Sequence, residues 1–281
     1  MARSTLVGPP PTAAFEGPAM PLDEMITRIV AAKREQWANA PAALTNPERT
    51  RPAPAGRFSA ALRRADIAVI AEVKPRSPLK GELWPVEKAV DLAQIYTANG
   101  ASGISVLANN PFFGGSPELV AEVTGVVPTP VLYKEFVVDA REIELAYAVG
   151  ADGVLIVVRT VDDRELRELI AAAQSVGIDP LVETFDETEI KRAVDAGATV
   201  IGINNRDLNT FTVDTDRARR LRELIPATAV AVAESGMKER SDIERVAADG
   251  FDAALIGETL LRSEDPGAKL QTLIGVPSQR P

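Results

Sequence analysis

The 281-residue chain contains no cysteine and no histidine. The first absence removes disulfide frameworks, thiolate metal sites and cysteine nucleophiles. The second removes imidazole ligands and every Ser-His-Asp arrangement. Proton chemistry in this chain must therefore run through Lys, Asp, Glu, Tyr or the backbone. Aromatic residues make up only 5%, and no run approaches the roughly 18 apolar residues of a transmembrane helix. Positive charge is also in deficit. The 31 Lys plus Arg against 40 Asp plus Glu leave a net charge of −9, which argues against a nucleic-acid partner. Neither a Walker loop nor a strand-linked GxGxxG occurs, so nucleotide binding is not expected. Residues 1–20 carry four prolines and lack the apolar core of a secretory signal. They read as a disordered leader, and a cytoplasmic location is the expectation for this cysteine-free chain.

What the chain does have is rhythm. A first helix is predicted from Leu22 to about Ala38, with Ile26, Ile29 and Val30 on one face and Lys33, Arg34 and Glu35 towards its end. A polar, proline-containing stretch (46–56) and a short helical piece, Phe58–Arg64, follow. Eight short apolar runs then end near Lys74, Leu107, Lys134, Val157, Glu183, Asn204, Glu234 and Gly257, spaced 21 to 33 residues apart. Helical patterns such as 139–151, 162–177 and 186–198 fill the gaps, several opening on acids and closing on glycine. Near-continuous Val/Ile/Ala runs mark strands buried on both faces, hence parallel. Eight βα units favour an α/β fold of one closed (β/α)8 TIM barrel; an open doubly wound sheet is the alternative. The expected organisation is a barrel domain over 21–275, including an N-terminal helical extension at 21–64, and a tail at 276–281.

Charged residues at the ends of greasy strands need a reason. Side chains two apart share a face, so Glu72 and Lys74 point the same way. Alternate strands supply one layer of barrel-interior side chains. Strands one, three, five and seven therefore bring Glu72 or Lys74, Lys134, Glu183 and Glu234 to one ring at the mouth, with Asn204 ending the sixth. Each alone has a plainer reading: Glu72 and Lys74 as a simple ion pair, Glu234 as a cap of the next helix. Ser235-Gly236 and Gly257-Glu258 follow strands seven and eight, where many barrels hold phosphate, although both could be ordinary tight turns. The segment 75–85, with Lys80-Gly81, reads equally as a mobile flap or a surface loop. Phe112 and Phe113 sit after the second strand, to sandwich a flat ligand or simply to pack.

The motifs IAEVKPRSPLKG (70–81), FFGGS (112–116), KEF (134–136), LVE (181–183), GINNRDLNTF (202–211), ESG (234–236) and LIGETLLRSEDP (255–266) occur in order at these strand ends. On them the chain, from about Leu22 to Lys269, resembles the indole-3-glycerol phosphate synthase family of tryptophan biosynthesis. The resemblance implies a lyase that closes the ring of 1-(2-carboxyphenylamino)-1-deoxyribulose 5-phosphate with loss of carbon dioxide and then water, without metal or cofactor. It implies an extra N-terminal helical segment over the barrel mouth. It implies Lys134 as general acid and Glu183 as the group that stabilises cationic nitrogen and as one candidate base in the dehydration, a step whose carboxylate and lysine the resemblance leaves open. Glu72 and Lys74 would share in proton transfer, and Asn204 and Glu234 would orient substrate hydroxyls. Ser77 would lie beside the first-strand site, Arg206 would support the ring of charges, and Ser235, Gly236, Leu255, Gly257 and Glu258 would line the phosphate end. The family usually carries Arg-Lys-Asp-Phe where this chain has Tyr133-Lys134-Glu135-Phe136, and Thr plus an acid where it has Ala108-Asn109. The alternatives are a paralogue of specialised metabolism, a Schiff-base aldolase using Lys134 or Lys74, and a phosphate-ligand binder without turnover. The partner expected is a small phosphorylated molecule, with the chain a monomer or homodimer.

Overall fold

A computed structural model describes residues 22–40, 49, 53–78, 80–207 and 212–280. The expected leader 1–20 and most of the 46–56 stretch lie outside the described residues. Eight strands close on themselves: β1 (Ala68–Val73), β2 (Gly103–Leu107), β3 (Val131–Lys134), β4 (Gly153–Val157), β5 (Asp179–Thr184), β6 (Val200–Asn204), β7 (Val230–Glu234) and β8 (Ala253–Ile256). Every neighbouring pair is parallel, and β1 pairs with both β2 and β8, which completes the circle. Observed strand ends fall within one residue of the eight expected. The barrel itself has no open sheet edge, and the backbone groups of its wall pair within it.

Alternation along each strand makes two cores. Outward residues such as Val69, Ala71, Val73, Val131 and Val182 pack under the surrounding helices. Inward residues Ala68, Ile70, Leu132, Leu155, Leu181, Val230 and Val232 fill the barrel. The helices begin where acids and hydroxyls cap them. Ser116, Asp139, Asp186 and Asp265 each accept a backbone N–H of the following first turn, and Asp162 with Glu165 forms a full capping box. Short polar caps thus set where the helices after β2, β3, β4 and β5 and the last helix after β8 start, whereas those after β1 and β6 begin without a side-chain cap.

The two N-terminal helices lie at opposite ends of the barrel. Helix α1 (Leu22–Ala38) runs along the rim above β3 and β4: Arg34 reaches Glu165 and the Thr160 carbonyl, and Trp37 is buried against the helix after β3. Helix α2 (Arg57–Leu62) closes the floor. Its Phe58 is fully buried among inward residues, and Gly103 and Gly153 leave the room its ring occupies. Arg57 binds Asp152 at 2.8 Å and the Ser59 N–H donates to Asp179 at 2.8 Å, fixing the plug to β4 and β5. Phe58→Ala is expected to destabilise the fold by about 3–5 kcal/mol, because the closed floor cannot collapse on the void. A fall in the chemical-denaturation midpoint at unchanged slope checks it.

Candidate active site

Glu72, Lys134, Glu183 and Glu234 stand on the four odd strands with the same inward parity as Ile70, Leu132, Leu181 and Val232. They form the topmost interior layer. Lys134 Nζ lies 3.3 Å from Glu234 Oε2, 3.7 Å from Glu72 Oε2 and 3.9 Å from Glu183 Oε2. Lys74 donates to the other oxygen of Glu72, Oε1. The ion pair expected between these two is present, but as one member of the ring. Glu234 caps no helix; the next begins at Arg240, where Asp242 accepts the N–H of Glu239.

Interior carboxylates of this size need space, and the even strands provide it. A Cβ on Gly202 of β6 would collide with Glu234, and one on Gly257 after β8 would collide with Glu72. The glycine after β8 is therefore a notch for a buried acid as well as a turn.

Two ammonium groups face three carboxyls in this layer, so burial sets their proton affinities against one another. Burial works to lower Lys134, yet Glu234, Glu72 and Glu183 outweigh it and hold the ammonium well above the ordinary lysine value. Burial pushes against ionisation of Glu72, but Lys74 and Lys134 win and keep it below the usual carboxylate range. Glu183 goes the other way. Burial first, then the neighbouring Glu234, raise it to about 8 against the pull of Lys134. The site thus holds a fixed cation, a fixed anion and a carboxyl that retains its proton near neutrality, which is how acid and base roles separate without histidine.

Above the ring opens a cavity of about 900 Å³. Its wall includes Glu72, Lys74, Ser77, Lys134, Glu183, Asn204, Arg206, Ser235, Gly236, Leu255, Gly257 and Glu258, as the sequence anticipates. Phe113 lines it and tilts against Phe136, with ring centroids 6.4 Å apart. Two expected residues do not reach it. Phe112 is outside the wall, and Glu234, only 1% exposed, lies beneath Lys134. Glu234 therefore has no direct route to a substrate hydroxyl in this arrangement; what it touches is the Lys134 ammonium.

The wall has an apolar side and a cationic side. Ile26 of α1, Phe113, Phe136, Leu155 and Val157 make the first. On the second, Glu258 gathers Lys80, Arg206 and Arg262 from three segments, with Arg206 at 3.3 Å and Arg262 at 3.0 Å. Lys80 belongs to the 75–85 segment, which folds into a hairpin pairing Arg76–Ser77 with Gly81–Glu82. Its bond to Glu258 carries that hairpin across to the β8 side. Ser235 is the one non-glycine residue with positive φ (66°) among those described, followed by Gly236 at 97°. Strain of this kind collects at ligand-holding turns.

Sequence reasoning missed Leu155 and Val157, although their spacing of two on β4 is the signal that marks an inward face. Arg262, one turn after Glu258, carried an i,i+4 signal as well. Ile26 carried only the apolar face of its helix and the resemblance that sets this segment over the mouth, because nothing local says where along the rim α1 comes to rest.

A family model described as indole-3-glycerol phosphate synthase matches residues 26–273. An indole-3-glycerol phosphate synthase 2 of Streptomyces coelicolor is 43% identical over 79% of this chain and 86% of its own length. An indole-3-glycerol phosphate synthase 1 of the same organism is 41% identical over 90% of this chain and 94% of its own. A solved 3-hexulose-6-phosphate synthase from Salmonella typhimurium superposes with a TM-score of 0.61 at 15% identity, over 74% of this chain and 96% of that one, a likeness of fold alone. On the matched span and these identities, the chain belongs to the indole-3-glycerol phosphate synthase family.

Proposed function

We propose that the chain converts 1-(2-carboxyphenylamino)-1-deoxyribulose 5-phosphate to indole-3-glycerol phosphate, carbon dioxide and water. The observation that carries this is the buried Lys134 ammonium, bracketed by three carboxyls at the floor of an amphiphilic cavity. The flat carboxyphenyl group packs on the side of Phe113, Phe136, Leu155 and Val157. The phosphate goes to the Ser235-Gly236 and Gly257-Glu258 turns, where Lys80, Arg206 and Arg262 supply a positive field in a chain of net −9. Lys134 then donates its proton to the ribulose carbonyl oxygen as the electron-rich ring carbon attacks. Loss of carbon dioxide restores the aromatic ring; Lys74 then protonates the new hydroxyl, which leaves as water, while Glu183 in its ionised form takes the proton from the methylene carbon beside the nitrogen. Glu72 and Lys74 form the proton reservoir beside it, and Asn204 orients the hydroxyls. Glu234 acts by holding the Lys134 ammonium in place.

The other readings lack support. A Schiff-base lysine needs a free amine. Lys134 is held as an ammonium by three carboxyls, and Lys74 is bonded to Glu72. Mixing purified protein with the ribulose phosphate is expected to produce indole fluorescence at a rate proportional to enzyme. Unchanged substrate after prolonged incubation would remove the proposal.

A further inference from the structure

A second buried charge cluster that the chemistry above does not use begins at the wall of the cavity, which Glu135 and Asn109 line, and runs back to Lys33 and Glu142. Lys33 of α1 donates to Glu142 Oε1 and lies 3.6 Å from Glu135 Oε2, with none of the three side chains more than 8% exposed. The Trp37 indole N–H donates to Glu142 Oε2 at 3.2 Å, and the Tyr133 hydroxyl approaches Oε1 at 3.4 Å. Glu135 Oε1 accepts the Phe136 N–H at 2.8 Å and the Asn109 side-chain amide at 3.0 Å. Asn109 in turn accepts the Phe112 N–H at 3.1 Å. One carboxylate thus ties together α1, the end of β3 next to Lys134, and the loop bearing Phe112 and Phe113.

We propose that Lys33, Glu135 and Glu142 form a proton-linked joint that seats α1 on the barrel, with Glu135 the positioning residue for Lys134 and the aromatic wall. One ammonium cannot balance two buried carboxylates, and an uncompensated buried charge is costly, so the seated joint holds one extra proton. The groups facing Glu142 are Lys33 and Trp37 from α1, Tyr133 of β3 and Glu135 just past its end, with Glu118 of the helix after β2 behind Tyr133. Arg141, next to Glu142 on its own helix, is turned to Asp139 and to the Trp37 and Ala40 carbonyls. Burial, opposed by Lys33 and reinforced by Glu135, raises Glu142 to about 7 from 4.5. With α1 lifted away, water reaches the carboxyl and its proton affinity falls toward the ordinary carboxylate value, whereas seated it ionises near 7. Rising pH therefore weakens the seating across that window and no further above it.

The joint rests on the proposed role of Lys134 only for its effect on turnover. Its proton is testable without substrate, because Trp37 and Trp84 are the two tryptophans in the chain. In a Trp84→Phe background, Trp37 emission is expected to titrate with a midpoint near 7. Glu142→Gln should abolish the transition. Glu135→Gln should lower its midpoint by removing the like charge, and Lys33→Met should raise it. If Glu142→Gln does not fold, the opposite shifts of the other two variants still decide. A flat emission from pH 5 to 9, or a transition that survives Glu142→Gln, would overturn the joint. For positioning, Glu135→Gln should cut kcat about tenfold or more, with a smaller rise in KM from the loosened aromatic wall, since it moves the acid as well as the loop of Phe113. An unchanged kcat would overturn the link to Lys134 while leaving the proposed reaction standing.

Discussion

Replacing Lys134 by methionine is expected to lower kcat/KM for ring closure by about 10²–10⁴-fold, the range a well-placed general acid contributes. Methionine keeps most of the side-chain volume, so the barrel top stays filled. The variant also leaves Glu72, Glu183 and Glu234 facing one another without the cation between them. Their repulsion raises proton affinity throughout the ring, so the loss should be steepest at low pH, where the carboxyls go neutral. Steady-state indole fluorescence from pH 6 to 9 measures it. Activity within threefold of the parent protein would show that the proton comes from elsewhere, with Lys74 the next ammonium in line.

Glu183→Gln is expected to reduce kcat by about 10²-fold or more and to flatten the acid limb of the pH profile. In the parent protein Glu183 carries its proton up to about 8, through burial and the adjacent Glu234. A group that must be ionised to act therefore makes kcat/KM rise with pH and level off above about 8. The stability sign is the reverse. The folded value lies above the unfolded one, so this group's contribution is fully present below the ordinary carboxylate range and is lost as pH rises through 8. Glutamine removes both dependences at nearly constant shape. A profile that keeps its limb in Glu183→Gln would assign that limb to another residue.

The eight strands were legible because their apolar runs are short, regular and flanked by caps, and each observed end lies within a residue of the expected one. The ring was legible for a stricter reason. A barrel allows charge at the C-terminal end of a strand but not in its interior, so parity alone places Glu72, Lys134, Glu183 and Glu234 in one layer. What stayed hidden was what depends on tertiary placement. Lys33 reads as the polar end of an amphipathic helix and is in fact buried, because its partners lie more than a hundred residues away. The depth of Glu234 under Lys134 was unreadable too. Of two carboxylates in one layer, Glu183 lines the cavity while Glu234, set against the hollow that Gly202 leaves, does not.

That hollow bears on how transferable the chemistry is. The reactive side chains come from the odd strands, and the empty volumes that admit Glu234 and Glu72 come from Gly202 and Gly257 on the even side. Grafting the lysine and its acids alone onto another barrel would import groups with nowhere to sit. A working transplant would have to carry the missing methyls along with the charges.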